Sequence, residues 1–164
     1  MKLLSIILGL LLIIAFVSAQ DSTEETFAAR PTYPCGSNSC DYGHVCRTHG
    51  NECGCVPHNK CEVTLKFKFI GSWVDGSCGK TYTQYDVIIQ NGLNRNIKDI
   101  YIGSDYTLRL RDHNSIWNIV RLPNGVLTLP SYQQSINAGA SYTFGFIIEG
   151  TQRPNLRILA VTFF

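Results

Sequence analysis

The chain carries no surplus of charge: 14 lysines and arginines stand against 12 aspartates and glutamates, a formal net charge of +2. A surface that neutralises many phosphates needs a basic excess, so neither nucleic acid nor an anionic membrane is expected as a partner. Helical periodicity is missing as well. No stretch repeats apolar residues at i, i+3, i+4 and i+7 for three turns, which excludes a helical bundle. No Asn-x-Ser/Thr sequon occurs, so no N-linked glycan is expected over any face. Catalytic signatures are lacking too. The carboxylates Asp75, Asp86, Asp99, Asp105, Asp112 and Glu149 are scattered, whereas a glycosidase needs two facing each other across a cleft. Asp112 and His113 adjoin, but no G-x-S-x-G elbow accompanies them. Neither catalysis nor a cofactor is expected.

What is present begins with one long apolar run at the N-terminus. Met1-Lys2 gives a short basic start, Leu3 to Val17 is almost wholly apolar, and Val17-Ser18-Ala19 supplies small residues before Gln20. This is the layout of a secretory signal peptide over residues 1–19, and it is short for a membrane span of about 20 residues. The mature chain is therefore expected to be secreted, with no membrane attachment after cleavage. Residues 20–34, mostly polar and small with two prolines, read as a flexible linker that buries no core.

Residues 35–61 hold six of the seven cysteines, Cys35, Cys40, Cys46, Cys53, Cys55 and Cys61. So short a segment cannot fold on apolar burial alone, and bridges worth about 2–4 kcal/mol each are expected to hold it. Zinc usually uses paired C-x2-C spacing, which is absent, so no metal is expected. The run Cys35…Cys40-Asp41-Tyr42-Gly43-His44-Val45-Cys46…Cys53-Gly54-Cys55 resembles the EGF-like hairpin of follistatin-type domains. That resemblance implies bridges Cys35–Cys46 and Cys40–Cys53, with the partners of Cys55 and Cys61 open. Cys78 is the odd seventh thiol: it bridges to Cys61 or Cys55, stays free, or pairs with another chain.

From residue 62 onward charge thins out and β-branched and aromatic residues dominate. Val63, Leu65, Phe67 and Phe69 alternate with Thr64, Lys66 and Lys68, and Tyr142, Phe144, Phe146 and Ile148 alternate again. Further apolar runs cover Tyr82–Gln90, Ile97–Ile102, Tyr106–Leu110, Val126–Leu129 and Leu156–Phe163. Such short strands between turn signals predict an antiparallel β-sandwich over 62–164, with the disulfide-rich module of 35–61 in front of it.

Trp73, Trp117 and Tyr132 fall at strand ends or between strands, among glycine, asparagine, serine and glutamine. A flat ring set outward can cover a sugar face, removing apolar area from water and meeting C–H groups with its π-face. Asn118, Gln133 and Gln134 stand nearby to reach hydroxyl edges, and Tyr82 and Tyr85 are reserve rings. Tyr85 shares the inward phase of Val87 and Ile89, and Phe144 and Phe146 read as core. No charge is required for this mode of binding.

From Cys61 to Phe164 the chain resembles carbohydrate-binding module family 49, a cellulose-binding module. The motifs are Ser72-Trp73, Tyr82-x-Gln84-Tyr85, Ser115-Ile116-Trp117, Leu127-Thr128-Leu129-Pro130-Ser131, Ala138-Gly139-x-Ser141 and Phe144-Gly145-Phe146. The resemblance implies a sandwich that binds cellulose or a related β-glucan in the extracellular matrix through a strip of Trp73, Trp117 and Tyr132. A different class of function would make the chain an interaction protein. Its cysteine-rich module would then bind an extracellular protein while the sandwich anchors it.

Overall fold

The computed structural model describes residues 32–164. The expected signal peptide at 1–19 and residues 20–31 of the expected linker lie outside them. The described chain is almost wholly β, with one 3-10 turn at His58–Lys60 and no helix long and apolar enough to cross a membrane among the described residues.

In chain order the strands are β1 (Tyr33–Cys35), β2 (Asn38–Cys40), β3 (His44–His49), β4 (Glu52–Pro57), β5 (Val63–Val74) and β6 (Thr81–Asn91). They continue as β7 (Ile97–Ser104), β8 (Ile116–Trp117), β9 (Val120–Arg121), β10 (Leu127–Thr128), β11 (Ser141–Glu149) and β12 (Leu156–Phe163). A four-stranded sheet, β5-β6-β11-β8, packs on a six-stranded sheet, β4-β3-β12-β7-β10-β9. Every pairing is antiparallel except β3 with β12, which run parallel with Cys46 beside Ala160. The cysteine-rich segment thus continues the second sheet of the sandwich.

Period-two alternation explains which side chains meet. Tyr85, Val87 and Ile89 on β6 and Phe144, Phe146 and Ile148 on β11 all point inward and are buried. They meet Ile100 and Ile102 of β7 and Ile158 and Val161 of β12 in one core. Tyr85 lies edge-on to Phe67 and Phe69 and beside Phe146. The outer face of the six-stranded sheet has a second, smaller core, where Ala160 and Tyr101 pack against Cys35, Cys40, Cys46 and Tyr33. The β1–β2 hairpin is therefore a third layer over the back of the sandwich.

Two expectations change. The run Tyr106–Leu110 is not a strand: the Asp105 carboxylate accepts from both the amide and the hydroxyl of Thr107, closing a turn. Only Leu110 bridges to Ile148. This local side-chain bond competes with extended backbone and wins. The bridges also differ. Cys35–Cys46 forms as expected, but Cys40 pairs with Cys55 and not with Cys53, and Cys53, Cys61 and Cys78 are free. The β3–β4 register sets Cys46 opposite Cys55 and only Thr48 opposite Cys53. Cys55 is thereby held beside the first bridge within reach of Cys40. The Cys53 sulfur is turned instead against Gly36, 2.9 Å from where a Cβ there would sit. Cys61 is fully buried in the main core among Val45 and Val63, where a thiol serves as a small apolar side chain.

One buried polar group ties the sandwich end together. Asn91 is fully buried, and its Nδ2 donates to the carbonyls of Arg95, Ile136 and Asn137 while its Oδ1 accepts from the Leu93 amide. Removing this side chain leaves the Leu93 amide and the Arg95 carbonyl without their partner, while the Ile136 and Asn137 carbonyls keep the amides of Ile97 and Ala140, at about 1–3 kcal/mol for each group that water cannot reach. Asn91→Ala is expected to lower stability by roughly 3 kcal/mol, read as a fall in the denaturant midpoint followed by tryptophan fluorescence. The thiols give a second check. Alkylation of the folded protein is expected to label Cys53 and Cys78 alone, with Cys61 reacting only after unfolding, as mass spectrometry without reduction would record.

Candidate binding face

The outer face of the four-stranded sheet is set by pairing register. Trp73 of β5 lies opposite Tyr82 of β6, and Glu149 of β11 lies opposite the same tyrosine. Four residues along β6, Asp86 lies opposite Gly145 of β11, which lies opposite Trp117 of β8. Side chains four apart on a strand share a face, as do directly opposed ones. Trp73 and Trp117 therefore stand on one face of the sheet. It is the outer face, because the alternate set, Tyr85, Val87, Phe144 and Phe146, fills the core. Four residues along the strands and three strand spacings across separate their attachment points by roughly 20 Å.

Each ring has a distinct bed. Trp73 is 39% exposed and tilts against Tyr82, ring centroids 6.4 Å apart. Tyr82, with 8% exposure, lies beneath: Arg111 is 6.0 Å from its ring and the Cys78 sulfur 4.0 Å from its hydroxyl. Burial, then the Cys78 thiol, pushes the Tyr82 hydroxyl above its ordinary pKa. Tyr82 supports Trp73 from below and has little ring left to offer a ligand. Trp117 is half-buried with its indole across Gly145, where a Cβ would come within 2.4 Å of the ring. Any other residue at 145 would lift the indole from the sheet.

Tyr132, 69% exposed, extends this end from the loop after β10. Its hydroxyl donates to the Oδ1 of Asn118 at 3.4 Å, and Asn118 Nδ2 donates to the Thr143 carbonyl at 3.4 Å. Asn118 occupies the left-handed region at φ 59°, which asparagine tolerates better than most residues. Beneath the loop, burial and the Tyr132 hydroxyl push Tyr142 up to about 12. Gln133 is half-buried and donates its side-chain nitrogen to the Ser135 carbonyl, so its amide is held within its own loop, while Gln134 beside it is exposed. The structure thus joins Trp117, Asn118 and Tyr132 at one end of the face, sets Trp73 at the other, and leaves Tyr82 covered. The floor between them, Gln84, Asp86 and Ile147, was not singled out by sequence reasoning. Alternation along β6 carries that signal, because Gln84 and Asp86 share the phase of Tyr82.

Two of the charged pairs around this face are closed. Lys80 and Glu149 pair at 3.0 Å beside Trp73, and Arg111 pairs with Asp112 at 2.8 Å. Hydrogen bonds lower the carboxyls of Asp75 and Asp105, chiefly from the hydroxyls of Ser77 and Thr107, and Arg111 lowers that of Asp112. A glycosidase acid needs the opposite shift. The sulfurs of Cys35, Cys40 and Cys55 lie within 4.8 Å of one another, but all three are consumed in disulfides, which leaves no thiolate there for a metal.

Comparison with known proteins accords with this geometry. Residues 63–150 match the carbohydrate-binding domain CBM49. Stalk-specific protein A of Dictyostelium discoideum is 57% identical over 167 residues, spanning 99% of this chain and all of that protein. Stalk-specific protein B of the same organism is equally similar over the same extent. Among solved structures, chitinase ChiA74 from Bacillus thuringiensis aligns at 20% identity with a TM-score of 0.44, covering 65% of this chain and 16% of that one. The chain, with its paired sheets and its tryptophans on one outer face, belongs to the CBM49 family of carbohydrate-binding domains.

Proposed function

We propose that this protein is a secreted, non-catalytic binder of cellulose or a related β-glucan in an extracellular matrix. The polymer would lie across the outer face of the four-stranded sheet, against Trp73, Trp117 and Tyr132. The observation that carries the reading is the register that sets Trp73 and Trp117 on one face. The face is a surface and not a cleft, which suits a long or crystalline chain more than a short free end. The names of the stalk-specific relatives agree with a structural role.

If each ring contributes roughly 1–2 kcal/mol by covering a sugar face, three give about 3–6 kcal/mol. That corresponds to millimolar to tens of micromolar affinity per site. Repetition along a polymer then lengthens residence. Asn118, held to Tyr132 and Thr143, offers its amide to hydroxyl edges, and Gln84 does the same from the floor.

Sedimentation of the full chain with microcrystalline cellulose tests the reading. The wild type is expected in the pellet, and Trp73→Ala/Trp117→Ala is expected to stay in the supernatant with an unchanged far-ultraviolet circular dichroism spectrum. Gly145→Ala touches no sugar, yet by displacing the Trp117 indole it is expected to weaken binding about tenfold. Full retention of the double variant would remove the aromatic face from the mechanism.

A further inference from the structure

A concavity lies away from the aromatic face, where the open side of the sandwich meets the cysteine-rich layer. It has a volume of about 780 Å³ and is lined in part by Tyr42, Phe67, Asp105, Arg153, Asn155 and Arg157. This size falls in the range of small-ligand clefts, about 300–1,000 Å³. Parts of the chain distant in sequence converge on it: the cysteine-rich segment, β5, the end of β7, the turn before β10 and the loop into β12.

Its two arginines are arranged alike. The Arg153 guanidinium stands 4.7 Å from the ring of Phe67, and that of Arg157 stands 4.4 Å from the ring of Tyr42. Among the described residues neither forms an ion pair; the ion pairs there involve Arg47, Lys80 and Arg111. The acid lining the cleft, Asp105, is committed elsewhere: Thr107 donates to one carboxylate oxygen and Asn155 Nδ2 to the other at 3.1 Å. The cleft therefore holds two guanidinium groups and one ionised carboxylate that pairs with neither of them, a surplus of positive charge. A guanidinium resting on a ring keeps its N–H edge free, is partly desolvated, and loses little freedom on forming a paired contact with an oxyanion.

We propose that this cleft binds an acidic sugar unit, a pyranose bearing a carboxylate or a sulfate. Arg153 and Arg157, each backed by its ring, would hold the anion, and the Asn155 Oδ1 and Ser104 Oγ, whose donors are engaged by Asp105 and the Gly125 carbonyl, would accept from the sugar hydroxyls. A bare polyanion such as nucleic acid is disfavoured because the chain's net charge is only +2. A peptide carboxylate would find no use for the hydroxyl-matching amide and hydroxyl groups on the walls.

Calorimetric titration of the full chain tests this with four probes: a galacturonate oligomer, a sulfated dextran oligomer, a neutral cello-oligomer and poly-glutamate. One or both anionic sugars are expected to bind, with affinity that falls as salt is added. Arg153→Gln/Arg157→Gln is expected to weaken that binding about tenfold or more, and comparison of the two sugars identifies the anion. Arg153→Lys/Arg157→Lys, which keeps the charge and loses the planar fork, is expected to fall between. Trp73→Ala/Trp117→Ala is expected to bind the anionic sugar as the wild type does. The glutamine variant is expected to sediment with cellulose unchanged, which separates failure of this site from failure of the aromatic face. The proposal is overturned if neither anionic sugar binds, if binding survives the glutamine variant undiminished, or if poly-glutamate binds as well as the sugars.

Discussion

The ladder between β6 and β11 is the constraint on which both the core and the proposed binding face depend. Its register runs without a break from Ser141 opposite Gln90 to Glu149 opposite Tyr82. Because side chains alternate, a slip of one residue would turn Phe144, Phe146 and Ile148 toward water. The same slip would bring Thr143 and Ile147 inward and move Gly145 from beneath Trp117. Core burial enforces this register far more strongly than any contact on the outer face could. The flat floor of the face is thus fixed by the energetics of its reverse side, and its rings need only be attached at the right positions.

Attachment differs at the two ends. Trp73 sits near the end of β5, beyond a bulge between Phe69 and Gly71 that restores the phase needed to bring it opposite Tyr82. Without the bulge, the alternation of Phe67 and Phe69 would carry Trp73 to the inner face with them. Trp117 comes from a strand of two residues and depends on what lies under it. Gly145 removes the one side chain that would prop the indole away from the sheet. Both devices depart from regular alternation, and each costs β-structure something locally, glycine through lost packing and the bulge through a broken ladder.

These departures show what could be read from the sequence and what could not. Regular alternation in Val63–Phe69 and Tyr142–Ile148 was legible, because burial of one face repeats a simple period. The inward phase of Tyr85 followed from Val87 and Ile89, and Phe144 and Phe146 followed from their own run. Placement of the tryptophans at strand ends was legible from their polar neighbours. The covering of Tyr82 was not, since it depends on Trp73, Arg111 and Cys78 converging from separate segments. Nor was the role of Gly145, which is a matter of approach between strands remote in sequence. The bridge Cys40–Cys55 and the parallel pairing of β3 with β12 were hidden for the same reason. Spacing of cysteines constrains loop lengths, whereas the strand register decides which sulfurs meet.

The parallel pair has a further consequence for how the two concave and planar surfaces relate. β3 borders β12, and β12 leads back through Arg157 to the loop that carries Arg153. The cystine-braced layer therefore does more than stiffen the back of the sheet: it brings Tyr42 to Arg157 and closes one wall of the cleft. A sandwich beginning at β5 would leave Arg157 without that ring. The charges divide accordingly. On the outer face the cations Lys80 and Arg111 each pair with a neighbouring carboxylate, while Lys66 and Lys68 share that face with Asp86 and form no ion pair among the described residues. In the cleft two guanidinium groups are held on rings beside one carboxylate, Asp105, that pairs with neither. An uncharged polymer and an acidic one would thus be distinguished by position on the same small fold, and the cysteine-rich segment is what makes the second position possible.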